Sequence, residues 1–317
     1  MKKKIQVVFL AVLLLCSTGC TKYMQETKGK KKENVRYEET GQTLTANILC
    51  KPKNKDLYEI YSEHEDLLTV KLDDLSDCKS FKPSSLKYES LWESVLVKPL
   101  AWLILKLGYL VKNMGVSVML IGVAIRILLL PISYKTALQS ENLKKAQPEI
   151  NKIERKYKDK TDNESLMAKS QETMLVYKKY KINPISGCLL SFIQLPLFLA
   201  FLEAINRVPA IFEGRLLGMN LGMTPFVGIT QHKYIYVALI ALIVLSTYFS
   251  FKMTMRSQQA MGKEAEQQMQ FMFRFMIIMI SVASLSLPTA IALYWVVTNG
   301  FAVIQTLIIR KINEKRK

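Results

Sequence analysis

The stretch Gly115-Val-Ser-Val-Met-Leu-Ile-Gly-Val-Ala-Ile-Arg126-Ile-Leu-Leu-Leu-Pro131-Ile-Ser133 is an apolar run with one arginine near its middle. A transmembrane helix needs about 20 predominantly apolar residues, so the run is long enough to cross a bilayer. An arginine near the bilayer centre costs about 2.5–3.5 kcal/mol on the insertion scale, and its guanidinium has no accessible neutral form. The sequence therefore predicts that Arg126 faces a polar cavity in a functional role, or that it pairs structurally with a carboxylate on another span.

The composition of the whole chain is that of a membrane protein. Of its 317 residues, 50 % are hydrophobic, and the formal charge is +18. These values indicate one membrane domain and a modest soluble segment. The basic residues cluster where apolar runs end, a pattern typical of membrane orientation and of anionic lipid headgroups. We therefore expect membrane lipids as partners and no DNA, and ribosomal RNA is the one form of nucleic acid left open.

The sequence offers little chemistry of its own. It has no nucleophile–base pair, carboxylate dyad or phosphate-binding loop that would be called catalytic, so we expect no enzymatic activity. Its five cysteines and two histidines include no CxxC motif and no Cys/His cluster. Neither a metal nor another cofactor is therefore expected.

The N-terminus has the pattern of an export signal. Residues 1–19 combine a run of lysines with a short apolar core and small residues, which predicts a secretory signal peptide. Ser17-Thr18-Gly19-Cys20 is similar to a bacterial lipobox, so we predict a lipoprotein whose Cys20 carries a palmitate-type acyl group. Ordinary cleavage and a retained anchor are the alternatives.

Residues 20–90 are polar and predict an extracytoplasmic segment, either a spacer or a small external module. Alternation over Leu67–Leu72 indicates some strand structure. Cys50 and Cys78 could form a disulfide if the segment is exported. Residues 91–113 then predict an amphipathic helix in the membrane interface, with Trp92 at the boundary and lysines such as Lys98 snorkelling to the headgroups.

Five membrane spans are predicted from the apolar runs. They cover about 115–134, 185–204, 233–251, 271–287 and 289–309. Pro288 divides the last long run, because proline interrupts helical hydrogen bonding. The charged residues 135–182 predict a hairpin of two helices, which is either simply solvated or a docking surface for ribosome, targeting factors or substrate.

The distribution of lysine and arginine predicts the orientation. The hairpin, the loop at 252–263 and the tail at 312–317 are basic, whereas the connection at 206–232 is poorer in charge. The positive-inside rule then places the hairpin and the C-terminus in the cytoplasm and residues 20–113 outside. We expect a multi-pass protein of a bacterial cell membrane with an external, lipid-anchored N-terminus.

Three stretches resemble the YidC/Oxa/Alb membrane protein insertases. They are Ile125-Arg126-Ile…Pro131, Asn183-Pro184-Ile-Ser-Gly187-Cys188…Gln194-Leu-Pro196-Leu-Phe198, and Leu287-Pro288…Leu293-Tyr294-Trp295-Val-Val-Thr-Asn299…Gln305-Thr306. The resemblance covers about residues 90–311. With its lipobox and five spans, the chain is similar to the Gram-positive-type lipoprotein form of YidC.

The resemblance implies an all-α integral membrane protein. Five transmembrane helices would enclose a hydrophilic groove within residues 114–311, with an external interfacial helix and a cytoplasmic helical hairpin. The residues implied to line this substrate groove are Arg126, Gln194, Tyr294 and Trp295. Interhelical bonding is an equal alternative for Gln194, and packing or interfacial anchoring is an alternative for the two aromatic residues. Asn299 and Gln305 are expected to make interhelical polar contacts.

The resemblance also implies a function, that of a membrane protein insertase or chaperone. Such a protein captures client segments in the groove and releases them sideways into the bilayer, alone or with the Sec translocon. Nascent membrane proteins would be its clients, with the Sec translocon and the ribosome as candidate partners. Two alternatives stay open: a small-solute or anion transporter using Arg126, and an anchored structural or signalling protein that works through residues 21–90.

Overall fold

The computed structural model describes residues 21–29, 31–160, 162–183, 186–258 and 263–315. The predicted signal peptide and the predicted lipidation site Cys20 lie outside these residues. The described chain is mainly helical, and its strands form three two-stranded antiparallel sheets. Together with its apolar helices, this confirms the expected class of an all-α membrane protein.

The elements follow one another along the chain as short strands and then helices. The first elements are β1 Gln25–Lys28, β2 Lys31–Asn34, β3 Arg36–Tyr37, β4 Gln42–Thr43 and α1 Lys55–Glu63. The helices after these are α2 Lys98–Leu110, α3 Met114–Leu128, α4 Leu130–Lys156, α5 Asn163–Lys179, α6 Ser186–Asn206, α7 Pro209–Phe212, α8 Pro225–Thr230, α9 Ile235–Gln258, α10 Lys263–Ala283 and α11 Thr289–Lys315. A small hairpin of β5 Arg215–Leu216 and β6 Met219–Asn220 lies between α7 and α8.

The chain divides into two compact units. The first unit consists of the residues up to Val123, Gln194–Ile243 and Val282–Val297. The second consists of Ala124–Ile193, Val244–Ser281 and the residues from Thr298 onward.

In the first unit, residues 21–90 fold around an apolar core of their own. Its buried members are Met24, Val35, Leu44, Ala46, Ile48, Leu57, Tyr61, Leu72 and Leu75. A disulfide joins Cys50 to Cys78 across this segment, and α1 begins where the Asn54 side chain accepts a hydrogen bond from the Leu57 amide at 3.0 Å. Residues 21–90 form a folded body rather than an extended spacer, and we call them the external module after the location predicted for them.

The strand predicted at Leu67–Leu72 is wrong. The chain there forms two short 3₁₀ turns, at Glu65–Leu67 and Leu72–Asp74. The apolar side chains of this stretch pack against the core of the module without a partner strand. The alternation of apolar and polar residues correctly indicated that these side chains are buried, but it did not identify the backbone conformation, because a turn can bury the same side chains.

Residues 93–110 form a helix with one buried and one exposed apolar face. A π-helical turn at Glu93–Val97 leads directly into α2. Ile104 is buried on one side, while Leu103 and Leu110 are exposed on the other. The placement of Trp92 and Lys98 at a lipid boundary is wrong, since their side chains are only 1 % and 2 % exposed.

Two of the described helices are long and apolar enough to cross a membrane, over Ile235–Met253 and Thr289–Ile309. The pair α3 and α4 makes a third if its bend is a break within one span. The span predicted at 115–134 stays a prediction, and the helix there is not continuous, because α3 ends at Leu128 and α4 starts at Leu130. Pro131 lies in the first turn of α4, where its missing N–H costs nothing.

Apolar stretches also occupy the C-terminal parts of two further helices, α6 and α10. They cover Pro196–Asn206 and Gln270–Ala283. Helix α10 ends at Ala283 instead of continuing to residue 287, and a turn leads from there to Pro288 and α11. The count of five spans therefore stays a prediction.

In the second unit, α4 and α5 pack side by side as two helices of a hairpin. Their shared core consists of Ala146, Ile150, Ile153, Tyr157 and Val176. The hydroxyl of Tyr157 donates to Glu172 at 3.0 Å, and Lys179 donates to Glu149 at 2.5 Å. The turn between the helices ends at Asp162, whose carboxylate caps α5 by accepting from the Ser165 amide at 2.8 Å.

Candidate functional site

Arg126 lies in the last turn of α3, in the part of that helix that belongs to the second unit. It is the one charged residue in the sequence of α3, and its side chain is half-buried. A helix C-terminus carries a partial negative charge, which typically stabilises a nearby cation by about 0.3–1 kcal/mol. The break at Leu129 thus places Arg126 near a helix end, whose partial negative charge a continuous helix would lack at this point.

Gln194 lies in the first unit on α6 and has an unsatisfied polar atom. Its side chain is half-buried, and its Oε1 atom is shielded from solvent without a hydrogen-bond donor among the described residues. A buried acceptor in this state costs about 1–3 kcal/mol. The amide is therefore able to accept a hydrogen bond from a bound molecule, whereas the interhelical bond considered from the sequence is not formed by this oxygen.

The predicted pair Tyr294 and Trp295 belongs to an aromatic cluster in the first unit. The Tyr294 ring stacks on Phe201 with ring centroids 4.0 Å apart, and it is 3 % exposed. The half-buried Trp295 ring meets Phe198 edge-on at 5.1 Å. Such pairs contribute about 0.5–1.5 kcal/mol each beyond their buried area. Tyr294 is thus a packing residue, and Trp295 is the more accessible of the two.

Asn299 and Gln305 are both buried on the part of α11 that lies in the second unit, with 9 % and 8 % of their surface exposed. Gln305 lies in the wall of an apolar cavity, opposite Tyr134 at the start of α4. The interhelical polar contacts expected of these two residues stay a prediction.

A buried charge cluster in the first unit was not found from the sequence. It is formed by Glu93 before α2, Lys98 at the start of α2, and Glu203 and Arg207 at the end of α6. Arg207 donates from Nη2 to Glu93 at 2.5 Å and from Nη1 to Glu203 at 3.1 Å. All four residues are at most 5 % exposed.

Two further hydrogen bonds belong to the charge cluster, whereas Glu93 Oε2 has no hydrogen-bond donor among the described residues and lies 3.8 Å from Lys98 Nζ. The indole of Trp92 donates to Glu203 at 2.8 Å, and Lys98 donates to the Lys87 carbonyl at 2.8 Å. These bonds explain why Trp92 and Lys98 are buried instead of lying at a lipid boundary. Burial raises the pKa of the Glu93 carboxyl, and the neighbouring Arg207 guanidinium partly offsets that shift.

The charge cluster also holds the external module in place. The Nε atom of Arg207 donates to the Asn47 carbonyl at 2.6 Å, and the Leu49 amide donates to the Arg207 carbonyl at 2.8 Å. The Lys53 and Asn54 amides donate to Glu213 at 2.6 and 2.9 Å. The connection between α6 and α9 is therefore bonded to the module along its length.

One ion pair of the charge cluster could have been predicted from the sequence. Glu203 and Arg207 are four residues apart, which is the spacing of an ion pair on a helix. Nothing local connects that pair to Glu93, which lies 114 residues from Arg207 along the chain. The third partner could be identified only from the folded structure.

The chain is similar in sequence to known membrane proteins over most of its length. The family model described as 60Kd inner membrane protein matches residues 106–316. A Listeria innocua protein named membrane protein insertase YidC 2 is 33 % identical over 237 residues, which cover 74 % of this chain and 78 % of the relative. An Oceanobacillus iheyensis protein named membrane protein insertase YidC is 32 % identical, covering 75 % and 91 %.

A further relative comes from Bacillus subtilis. The protein named membrane protein insertase MisCA is 34 % identical over 238 residues, covering 74 % of this chain and 86 % of its own length. The matched region includes the apolar helices, Arg126 and the aromatic cluster. The chain therefore belongs to the YidC/Oxa/Alb family of membrane protein insertases, and it is a bacterial membrane protein.

Proposed function

We propose that this protein inserts clients into the membrane by drawing their polar tails into a hydrophilic groove that contains Arg126. The observation that carries the proposal is a half-buried guanidinium in the last turn of an otherwise apolar helix. An acidic client tail supplies the opposite charge. A unit-charge pair at 4 Å contributes about 4 kcal/mol at an effective dielectric constant of 20, before desolvation is subtracted.

Two further residues are proposed as client contacts. The unsatisfied oxygen of Gln194 can accept a hydrogen bond from a client backbone amide. The half-buried Trp295 offers an aromatic edge supported by Phe198. Tyr294 acts indirectly in this proposal, by holding the cluster together through its stack on Phe201.

The energy for insertion comes from the client itself. Moving its apolar segment sideways into lipid yields about 25 cal/mol for each Å² removed from water. We propose that no catalytic group, metal or cofactor takes part. The proposed arrangement has five spans, a cytoplasmic hairpin and C-terminus, and a lipid-anchored N-terminus at Cys20. We propose that the protein works alone or beside the Sec translocon, and that the ribosome is a candidate partner at the hairpin.

The test follows insertion of a single-span client into liposomes that contain the purified protein. The client carries either an acidic or a neutral N-terminal tail. Wild type is compared with Arg126→Ala, Arg126→Lys and the control Arg155→Ala, which removes an exposed arginine of the hairpin. We expect Arg126→Ala to abolish insertion of the acidic client, Arg126→Lys to retain part of it, and Arg155→Ala to leave it unchanged.

The other outcomes distinguish the parts of the proposal. Equal insertion by wild type and Arg126→Ala would remove Arg126 from the mechanism while leaving the insertase function intact. Absence of insertion by wild type, together with anion flux that depends on Arg126, would instead support a transporter.

A further inference from the structure

An apolar cavity of about 440 Å³ lies in the second unit, between the first turn of α4 and the second half of α11. Leu130, Pro131 and Tyr134 of α4 form part of its wall. The volume falls within the range of about 300–1,000 Å³ that is typical of sites for small ligands. The cavity does not include Arg126, so the proposed insertion mechanism leaves it without a role.

The chemistry of the wall is that of a hydrocarbon site. Its accessible surface is entirely apolar. On the α11 side, Ile304, Ile308 and Ile312 are between 42 % and 55 % exposed, although they line a concavity. Large apolar side chains in such a recess are stabilised by an apolar occupant, and in a membrane protein the acyl chain of a lipid is the nearest one.

A lysine adjoins a wall residue in the sequence of each of the two helices. Lys135 follows the wall residue Tyr134, and Lys311 precedes the wall residue Ile312. Both lysines are exposed. The sequence Arg310-Lys311-Ile-Asn-Glu-Lys315-Arg316-Lys317 adds basic residues at the same end of α11. Basic pockets between transmembrane helices, and basic clusters immediately beyond such helices, favour anionic lipid headgroups.

We propose that this cavity binds one anionic phospholipid, with an acyl chain along the isoleucine wall and the phosphate beside Lys135 and Lys311. Arg126 does not line this cavity, and the proposal does not depend on the insertase function. A zwitterionic lipid would fill the cavity equally well but would gain nothing from the lysines. Charge, rather than shape alone, therefore selects the ligand.

The test is native mass spectrometry of the full-length protein in detergent. The protein is titrated with phosphatidylglycerol or with phosphatidylcholine of the same acyl chains. Wild type should retain one phosphatidylglycerol in preference to phosphatidylcholine. The double variant Lys135→Gln/Lys311→Gln should weaken phosphatidylglycerol binding by about fivefold for each lysine removed and leave phosphatidylcholine unchanged. Ile308→Trp, which fills the cavity, should weaken binding of both lipids.

Matched control variants make the same kinds of substitution at positions away from the cavity. Lys158→Gln/Lys160→Gln takes two exposed lysines from the turn between α4 and α5, and Ile278→Trp enlarges an exposed apolar residue of α10. Neither should change lipid binding. Equal binding of the two lipids by wild type, or an equal loss in the lysine control, would overturn the proposal. A photo-crosslinker at position 308 that captures an inserting client rather than phospholipid would assign the cavity to clients instead.

Discussion

Replacement of Arg207 with alanine should detach the external module from the end of α6. The substitution removes three hydrogen bonds, to Glu93, Glu203 and the Asn47 carbonyl. It leaves two buried carboxylates, Glu93 with Lys98 Nζ 3.8 Å away and Glu203 with the Trp92 indole as its donor. Removing one partner of a buried ion pair costs about 3–5 kcal/mol, because the remaining charge stays desolvated.

The expected magnitude follows from that cost. A loss of about 3–5 kcal/mol raises the population of the detached state roughly 100- to 4,000-fold, since each 1.4 kcal/mol is a factor of ten. Hydrogen exchange in nanodiscs at pH 7 measures this population at the Leu49 amide, which donates to the Arg207 carbonyl in the docked state. The exchange rate at this amide should rise by a similar factor, up to the limit set by complete detachment.

Two variants make the experiment decisive. Arg215→Ala removes an exposed arginine from the same connection and should leave exchange unchanged. Arg207→Lys should give an intermediate effect, because an ammonium keeps the charge but cannot reproduce the geometry of the guanidinium. If Arg207→Ala and Arg215→Ala exchanged at the same rate, the charge cluster would not hold the module.

Three further predictions concern other parts of the chain. Cys50→Ser should destabilise the external module by about 3–4 kcal/mol, which is the chain-entropy value for a closed loop of 28 residues. Thermal unfolding of the protein with and without reductant measures this loss. In the hairpin, Ile150→Ala should cost about 2–5 kcal/mol and speed proteolysis there, whereas the exposed Leu175→Ala should not. Burial raises the pKa of Glu93, so the free energy of unfolding should fall as the pH rises from 4.5, the ordinary pKa of this carboxyl, through the raised pKa. Glu93→Gln should lose that decline, which is measured as the melting temperature at a series of pH values.

The sequence was most informative where a pattern repeats locally. Helical spacing and charge identified the region of the hairpin, and apolar runs marked α9 and α11 as membrane helices. The motifs around Arg126, Gln194 and Tyr294 indicated the family that the sequence comparisons establish. Each of these signals is local in the sequence or recurs in a fixed order, so no knowledge of the tertiary structure was needed.

The sequence was least informative where distant residues meet. A lysine in an amphipathic helix ordinarily extends to water, and only the Glu93 and carbonyl contacts explain why Lys98 is buried. The break at Leu129 was missed because hydropathy is continuous through it, although Pro131 gave a local indication. Similarly, composition could not decide between a spacer and a folded module for residues 21–90, because the core of the module is assembled from isolated apolar residues.

The docking of the external module also imposes an order on biosynthesis. Residues 45–54 bond to residues that follow about 160 positions later in the chain. At about 5–20 residues per second, a ribosome needs roughly 8–30 s to make that intervening length. During this interval the module can close its own core but has no surface on which to dock. Its attachment can therefore occur only after α6 and the connection beyond it have been made, so that docking marks a late stage in the maturation of the protein.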